Sequence, residues 1–254
     1  MWYGVANKSN LNLRLSRNFT QEKLPQRIYL IAELQQSNAP TIMWFRQDLR
    51  LADNPALCAA CERGEIIPVY ILDDQGADSW KMGGASRWWL HHALEDLNDS
   101  LKQGLQLFQG DALTILRDLA VQTGAAAITW NRCYEPWRIA RDAILKTALK
   151  DDGLEVQSFN GSLLWEPWQV LKKDGTPYRV FTPYYRRGCL SVAAPRRPLE
   201  PPKGISLSKN SVHSLLLEEL NLLPKINWDE QMKVRWNISE AAAHERLDEF
   251  VMDE

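Results

Sequence analysis

Thr41-Ile42-Met43-Trp44-Phe45, followed by the polar loop Arg46-Gln47-Asp48-Leu49-Arg50 and then by Asp53-Asn54-Pro55, decides how this chain folds. A short apolar run followed by an amphipathic helical segment predicts a strand of a βα unit, the pattern of a parallel sheet. Asp53-Asn54 supplies a capping side chain and Pro55 suits a first helical position, so a helix is predicted from there through Arg63. Strand, loop and helix together make the first half of a βαβ unit.

The same unit recurs downstream. Ile66 to Leu72 reads as a second buried strand, and Ser86 to Lys102 as a helix carrying Leu90, Leu94, Leu97 and Leu101 on one face. Leu105 to Phe108 predicts a short strand, after which Asp111 is placed to cap a helix bearing Ala112, Ile115, Leu116 and Leu119. Ala126 to Trp130, Arg138 to Lys150 and Leu154 to Phe159 complete the series as strand, helix and strand. Five repeats predict an α/β fold: a doubly wound, Rossmann-like, five-stranded parallel sheet.

Beyond Gly161 the alternation stops, and Pro167, Pro177, Pro183, Pro195, Pro198, Pro201 and Pro202 bar long regular elements. An irregular linker and one C-terminal helix are expected there. Asn237 and Glu240 read as a capping box, and Ala243, Leu247, Phe250 and Val251 as an apolar stripe with no later partner. Residues 1–40 show no sustained periodicity and read as an extension of uncertain order. The expected division is therefore 1–40 extension, 41–190 α/β domain, 191–235 linker and 236–254 terminal helix.

A chain of 254 residues that is 45% apolar and 24% charged is ordinary for a soluble globular protein. Its net charge of -2 gives no global basic field, so tight nonspecific binding to nucleic acid is not expected. No apolar run reaches the roughly 18 residues of a membrane span. Four cysteines make no disulfide framework, so a cytoplasmic location without membrane contact is expected. The Cys58-x-x-Cys61 pair has no second pair to complete a zinc set and reads as buried helix residues. Eleven tryptophans are unusually many, and packing is the reading favoured for them.

Ligands of open parallel sheets sit outside the carboxyl ends of the strands. Three loops are predicted to converge there: Arg46 to Arg50, Asp73-Asp74, and Asn131 to Trp137. They combine guanidinium forks, carboxylates and aromatic rings, suited to a flat, polar-edged ring system. Arg46, Asp48 and Arg50 read equally well as a salt-bridge cluster bracing the sheet edge. Neither a G-x-G-x-x-G nor a Walker loop is present, and the histidines at 91, 92, 213 and 244 form no nucleophile motif and no metal-ligand spacing.

The loop Trp44-Phe45-Arg46-Gln47-Asp48-Leu49-Arg50-Leu51 with Asp53-Asn54-Pro55-Ala56-Leu57 resembles the opening signature of the DNA photolyase and cryptochrome family. Further matches follow in family order at Pro68 to Asp73, Ser86 to Leu90, Tyr134-Glu135-Pro136, Arg141-Asp142 and Pro177 to Tyr184. The resemblance covers about residues 41 to 190, and Trp236 to Phe250 is similar to the first helix of the family's flavin domain. It implies a light-harvesting antenna domain binding methenyltetrahydrofolate, an 8-hydroxy-deazaflavin or FMN. By resemblance the antenna site is assigned to Arg46, Asp48, Leu49, Arg50, Asp73, Arg87 and Glu135, with no catalytic residue and no metal.

In the family, FAD sits in a helical second domain and repairs pyrimidine dimers in DNA. That domain is expected to be missing here, so the chain is read as truncated before it and inactive alone. Its FAD domain would come from the same full-length protein or a separate chain, with damaged DNA contacted only through it. Two alternatives are carried: the same domain of a cryptochrome blue-light receptor, and a stand-alone nucleotide-binding module of the universal-stress type.

Overall fold

The computed structural model describes residues 39–74, 80–210 and 212–252. The stretch 1–40, read from sequence as an extension, lies outside the described residues except for Ala39 and Pro40. Five parallel strands form one sheet in the order β3-β2-β1-β4-β5. They are β1 (Thr41–Phe45), β2 (Ile66–Leu72), β3 (Gln106–Gln109), β4 (Ala127–Asn131) and β5 (Glu155–Phe159). Between them run α1 (Pro55–Arg63), α2 (Gly84–Ser100), α3 (Ala112–Thr123) and α4 (Pro136–Asp151), and α5 (Glu230–Arg235) and α6 (Glu240–Met252) follow. The predicted fold is the observed one, with boundaries displaced by one or two residues.

Local chemistry explains the helix ends. Asn54 Oδ1 accepts the Leu57 amide at 3.1 Å and Pro55 occupies the first turn of α1. Asp111 Oδ2 takes the Thr114 amide at 2.8 Å at the start of α3, and Gly124 ends that helix at φ 68°, a left-handed conformation costly for other residues. Every residue of β1, β2 and β4 is buried. Met43 and Phe45 pack with α1 and α2 on one face, while Ile42 and Trp44 pack with α3 and α4 on the other. With each such side chain worth about 1.5–3 kcal/mol when buried, the two cores hold the sheet between its helical layers.

Residues 191–235 depart from a free tether. Leu207 bridges to Ile66 and Leu215 to Leu107 at the sheet edge, and Leu220 and Leu222 are buried in the core beside α2. The short helix α5 also lies there, where proline spacing alone had suggested only irregular chain. At α6, Ser239 is the capping residue, its Oγ accepting the Ala242 amide at 3.0 Å. The Glu240 carboxylate does not reach back to Asn237 as the capping-box pattern suggested. It crosses instead to the loop after β1, accepting the amides of Leu51 at 2.7 Å and Ala52 at 2.8 Å. That tie folds α6 back onto the sheet domain, although Leu247, Phe250 and Val251 stay more than half exposed.

Candidate functional site

In this strand order the chain leaves β1 for β2 and β3 on one side, then returns to β4 on the other, so the switch point lies between β1 and β4. The loops after those two strands leave the sheet at that point. A cavity of about 940 Å³ opens beside it, lined by the loop after β1, the end of β2, the first turns of α4, and one side of α2 and α6. That volume lies in the range of small-molecule and cofactor sites.

Two ties bring the loops together. Gln47 Nε2 donates to Glu135 at 2.7 Å, joining the loop after β1 to the loop after β4. Beneath it lies a buried knot in which Asp48 accepts the Arg46 amide at 2.9 Å and the side-chain amides of Asn131 at 2.5 Å and Asn54 at 3.3 Å. Asn131 Oδ1 in turn accepts the Ala56 amide at 3.2 Å, so the knot also fixes the start of α1. Gly161 approaches so closely that a Cβ there would lie 2.6 Å from Asn131 Cγ.

Above the knot, indole and guanidinium groups alternate. Arg46 lies 6.0 Å from the Trp130 ring and 5.0 Å from Trp44, and Arg141 lies 5.1 Å from Trp44 and 5.2 Å from Trp137. Arg138 covers the remaining side of that sequence at 4.9 Å from Trp137. Each cation is drawn to the negative faces of the rings, and its donors are directed by carboxylates and carbonyls. Arg46 bonds Asp142 and the Asn131 carbonyl, and Arg141 bonds Asp73 at 3.1 Å and Asp142 at 2.9 Å. The cavity therefore has a wall of fixed aromatic planes and oriented positive charge. Across it stand Tyr70, Met82, Trp89 and, from the α6 region, Trp236 and Leu247. Burial pushes the Tyr70 phenol well up, so it keeps its proton and can donate it.

The seven residues assigned from sequence separate into two groups. Arg46, Leu49, Arg50 and Asp73 line the cavity. Arg50 also holds the loop in place, through the carbonyls of Ala52 at 3.0 Å, Asp53 at 2.9 Å and Gly161 at 2.6 Å. Asp48, Glu135 and Arg87 lie off the wall and act on it through others: Asp48 by the knot, Glu135 through Gln47, and Arg87 through its ion pair with Asp74. The salt-bridge reading of the first loop holds for Arg46, paired with Asp142, whereas Asp48 is held by amides. Trp44, Tyr70, Arg138 and Arg141 and the whole α6 wall were not assigned to the site from sequence, and Trp137 was placed there only as the end of the converging loop Asn131 to Trp137. Arg138 and Arg141 could have been found, because they are the basic residues one and two turns into a helix opened by Glu135-Pro136.

Comparison with known proteins follows the same region. The family model described as DNA photolyase matches residues 41–203. Deoxyribodipyrimidine photo-lyase of Agrobacterium fabrum (strain C58 / ATCC 33970) is 45% identical over 218 residues, which is 84% of this chain and 45% of that protein. Cryptochrome-2 of Arabidopsis thaliana is 36% identical over 189 residues, covering 72% of this chain and 31% of that protein. Among solved structures, a bacterial class III photolyase from Agrobacterium tumefaciens superposes with a TM-score of 0.78 at 45% identity, over 84% of this chain and 45% of that one. An archaeal photolyase from Sulfolobus tokodaii, at 23% identity and a TM-score of 0.56 over 74% of this chain and 42% of that one, shares the fold. The chain spans less than half the length of these relatives.

Proposed function

This chain belongs to the DNA photolyase family, and from that premise we propose that its α/β domain holds a light-harvesting antenna for a deoxyribodipyrimidine photo-lyase. The observation that carries the reading is the cavity beside the switch point, where Trp44 and Trp137 alternate with Arg46 and Arg141 near a protonated Tyr70. A planar, polar-edged chromophore fits such a wall: indoles take up its faces, guanidinium and phenol donors take up carbonyl or anionic oxygens, and the ties at Asp48 and Glu135 keep these groups oriented. When bound, the antenna supplies light absorption and passes excitation energy on. The protein residues bind it, orient it and exclude water. The domain boundaries 41–190, 191–235 and 236–254 belong to the same proposal.

The proposed energy acceptor is FAD in a helical domain, of the same longer protein or a separate chain, and damaged DNA is contacted through that domain. Among the described residues no helix is long and apolar enough to cross a membrane, and all four cysteines are free, which suits the cytoplasm. The test is spectroscopic. Purified protein is reconstituted with methenyltetrahydrofolate, 8-hydroxy-deazaflavin or FMN and read by near-ultraviolet and visible absorption. One of them should bind saturably, and Arg141→Ala and Trp137→Ala should weaken it. Saturable ATP binding with no chromophore uptake would overturn the proposal and favour a nucleotide-binding module. The resemblance to Cryptochrome-2 supports a second reading, a blue-light receptor. Light-dependent dimer cleavage by the full-length gene product discriminates the two, a receptor showing bound flavin without turnover.

A further inference from the structure

On the side of α2 next to its cavity face, the helix carries a group of side chains that the antenna reading does not use. One ligand atom from each of His91, His92 and Glu95 lies within 4.8 Å of the other two. We propose that these three residues form a binding site for a divalent transition-metal ion, of which Zn²⁺ is the type.

The sequence hides the site because adjacent histidines are not a recognisable ligand spacing. The helix turns them 100° apart, and the carboxylate that completes the set comes from the next turn, three and four residues on. His92 Nδ1 already stands 3.3 Å from Glu95 Oε2. A tetrahedral ion with bonds of about 2.0–2.2 Å spaces its donors roughly 3.3–3.5 Å apart, so this pair has the required separation. The third ligand atom, on His91, lies within 4.8 Å of the other two. Two imidazoles and one carboxylate are a borderline set that suits Zn²⁺, Co²⁺ or Ni²⁺ and discriminates against Mg²⁺.

A plain hydrogen bond between His92 and Glu95 is the simpler reading, and it leaves two groups unexplained. His91 Nδ1 and His92 Nε2 are buried and have no hydrogen-bond partner, although buried polar atoms nearly always have one. His91 as a residue is only 7% exposed. A cation held through His91 Nδ1, with His92 Nδ1 and Glu95, accounts for the first of these, the more deeply buried of the two. The setting also favours positive charge: His92 and Glu95 border a small groove with Asp96 and Asp99, and the cation on its rim, Lys233, is paired with Asp229 at 2.9 Å. Trp88 meets the His92 ring edge-on at 4.7 Å, so an ion at His92 has an indole reporter beside it.

Titration calorimetry of the full chain with Zn²⁺ at neutral pH tests the site, with Mg²⁺ as the contrasting ion. A single Zn²⁺ site is expected, with no Mg²⁺ uptake. Glu95→Gln and His92→Asn, both at partly exposed positions, should each weaken it by about tenfold or more, and His213→Asn should leave it unchanged. A readout free of variants is carbethoxylation of the native protein, which Zn²⁺ should block at His92. The proposal is overturned if Zn²⁺ fails to bind saturably, if binding survives both His92→Asn and Glu95→Gln, or if His92 reacts equally with and without Zn²⁺.

Discussion

Replacing Asp48 by its isosteric amide, Asp48→Asn, probes the knot beneath the cavity with almost no change of shape. The carboxylate accepts the Arg46 amide through Oδ1 and the Asn54 and Asn131 amides through Oδ2. The new amide has only one acceptor oxygen. If that oxygen faces Arg46, two NH₂ groups meet a third; turned the other way, it leaves the Arg46 N–H facing a donor. Neither asparagine can flip to help, because Asn54 Oδ1 caps Leu57 at 3.1 Å and Asn131 Oδ1 holds the Ala56 amide at 3.2 Å. The better arrangement still strands at least one buried donor, the Arg46 N–H facing the new NH₂, at about 1–3 kcal/mol, and reduces two charge-assisted bonds to neutral ones, at roughly 1 kcal/mol each. Relief from burying a charge offsets part of this. We expect a net loss of about 2–4 kcal/mol, seen as a lower urea midpoint with unchanged slope, and a Tm lowered by roughly 5–15 °C. A loss under about 1 kcal/mol, or a gain, would refute the argument, because it would mean that desolvation outweighs all three hydrogen bonds.

Three further outcomes are expected. Glu240→Ala removes the acceptor of the Leu51 and Ala52 amides, so hydrogen exchange should speed up throughout α6 while α2 is unchanged; equal protection in α6 would show that another contact holds it. Burial works to raise the Glu135 carboxyl, but its own backbone N–H, the Gln47 amide and the charges of Arg138 and Arg46 outweigh it and hold the group below the ordinary glutamate value. A carboxylate depressed by folding stabilises above its unfolded pKa and loses that contribution as pH falls through the folded one, so Glu135→Gln should flatten the acid limb of the stability profile below about pH 4.3. A parallel limb in the variant would contradict this. Burial pushes the Cys61 thiol up to about 11, helped by Cys58 and Glu62, so near pH 8 its alkylation should run on the order of a hundredfold or more slower than that of a free thiol until urea unfolds α1.

The sheet was legible because its signal is local. Fully buried runs such as Ile66–Leu72, punctuated by Asn54-Pro55 and Asp111, can be read one segment at a time, and the loops leaving the carboxyl ends of strands lie on the ligand-binding edge of such a sheet. The division of labour within that loop was not legible. Asp48 and Arg46 are two residues apart, yet one is turned into the knot and the other toward the indoles, a difference set by partners 83 to 96 residues away. The places of Arg138 and Arg141 early in α4 could be read from the sequence, but not the packing that sets their guanidinium groups against Trp44 and Trp137. The role of Glu240 was misassigned for a related reason: a capping-box pattern describes a preference within one helix, and two free amides on a distant loop competed for the same carboxylate.

The strand order sets how the molecule must assemble. β1 is the first of the described strands yet innermost in the sheet, so it acquires its β2 neighbour early but waits for β4, whose Thr129 pairs with Met43 across 86 residues. Closing that longer span adds only a modest entropic cost, since loop closure rises with the logarithm of length. The consequence is kinetic. On a ribosome, the β1-β2-β3 half can collapse with one margin of its central strand unpaired until β4 emerges, a transient open edge able to capture another nascent chain. Refolding should accordingly be slow for a domain of this size and prone to concentration-dependent loss.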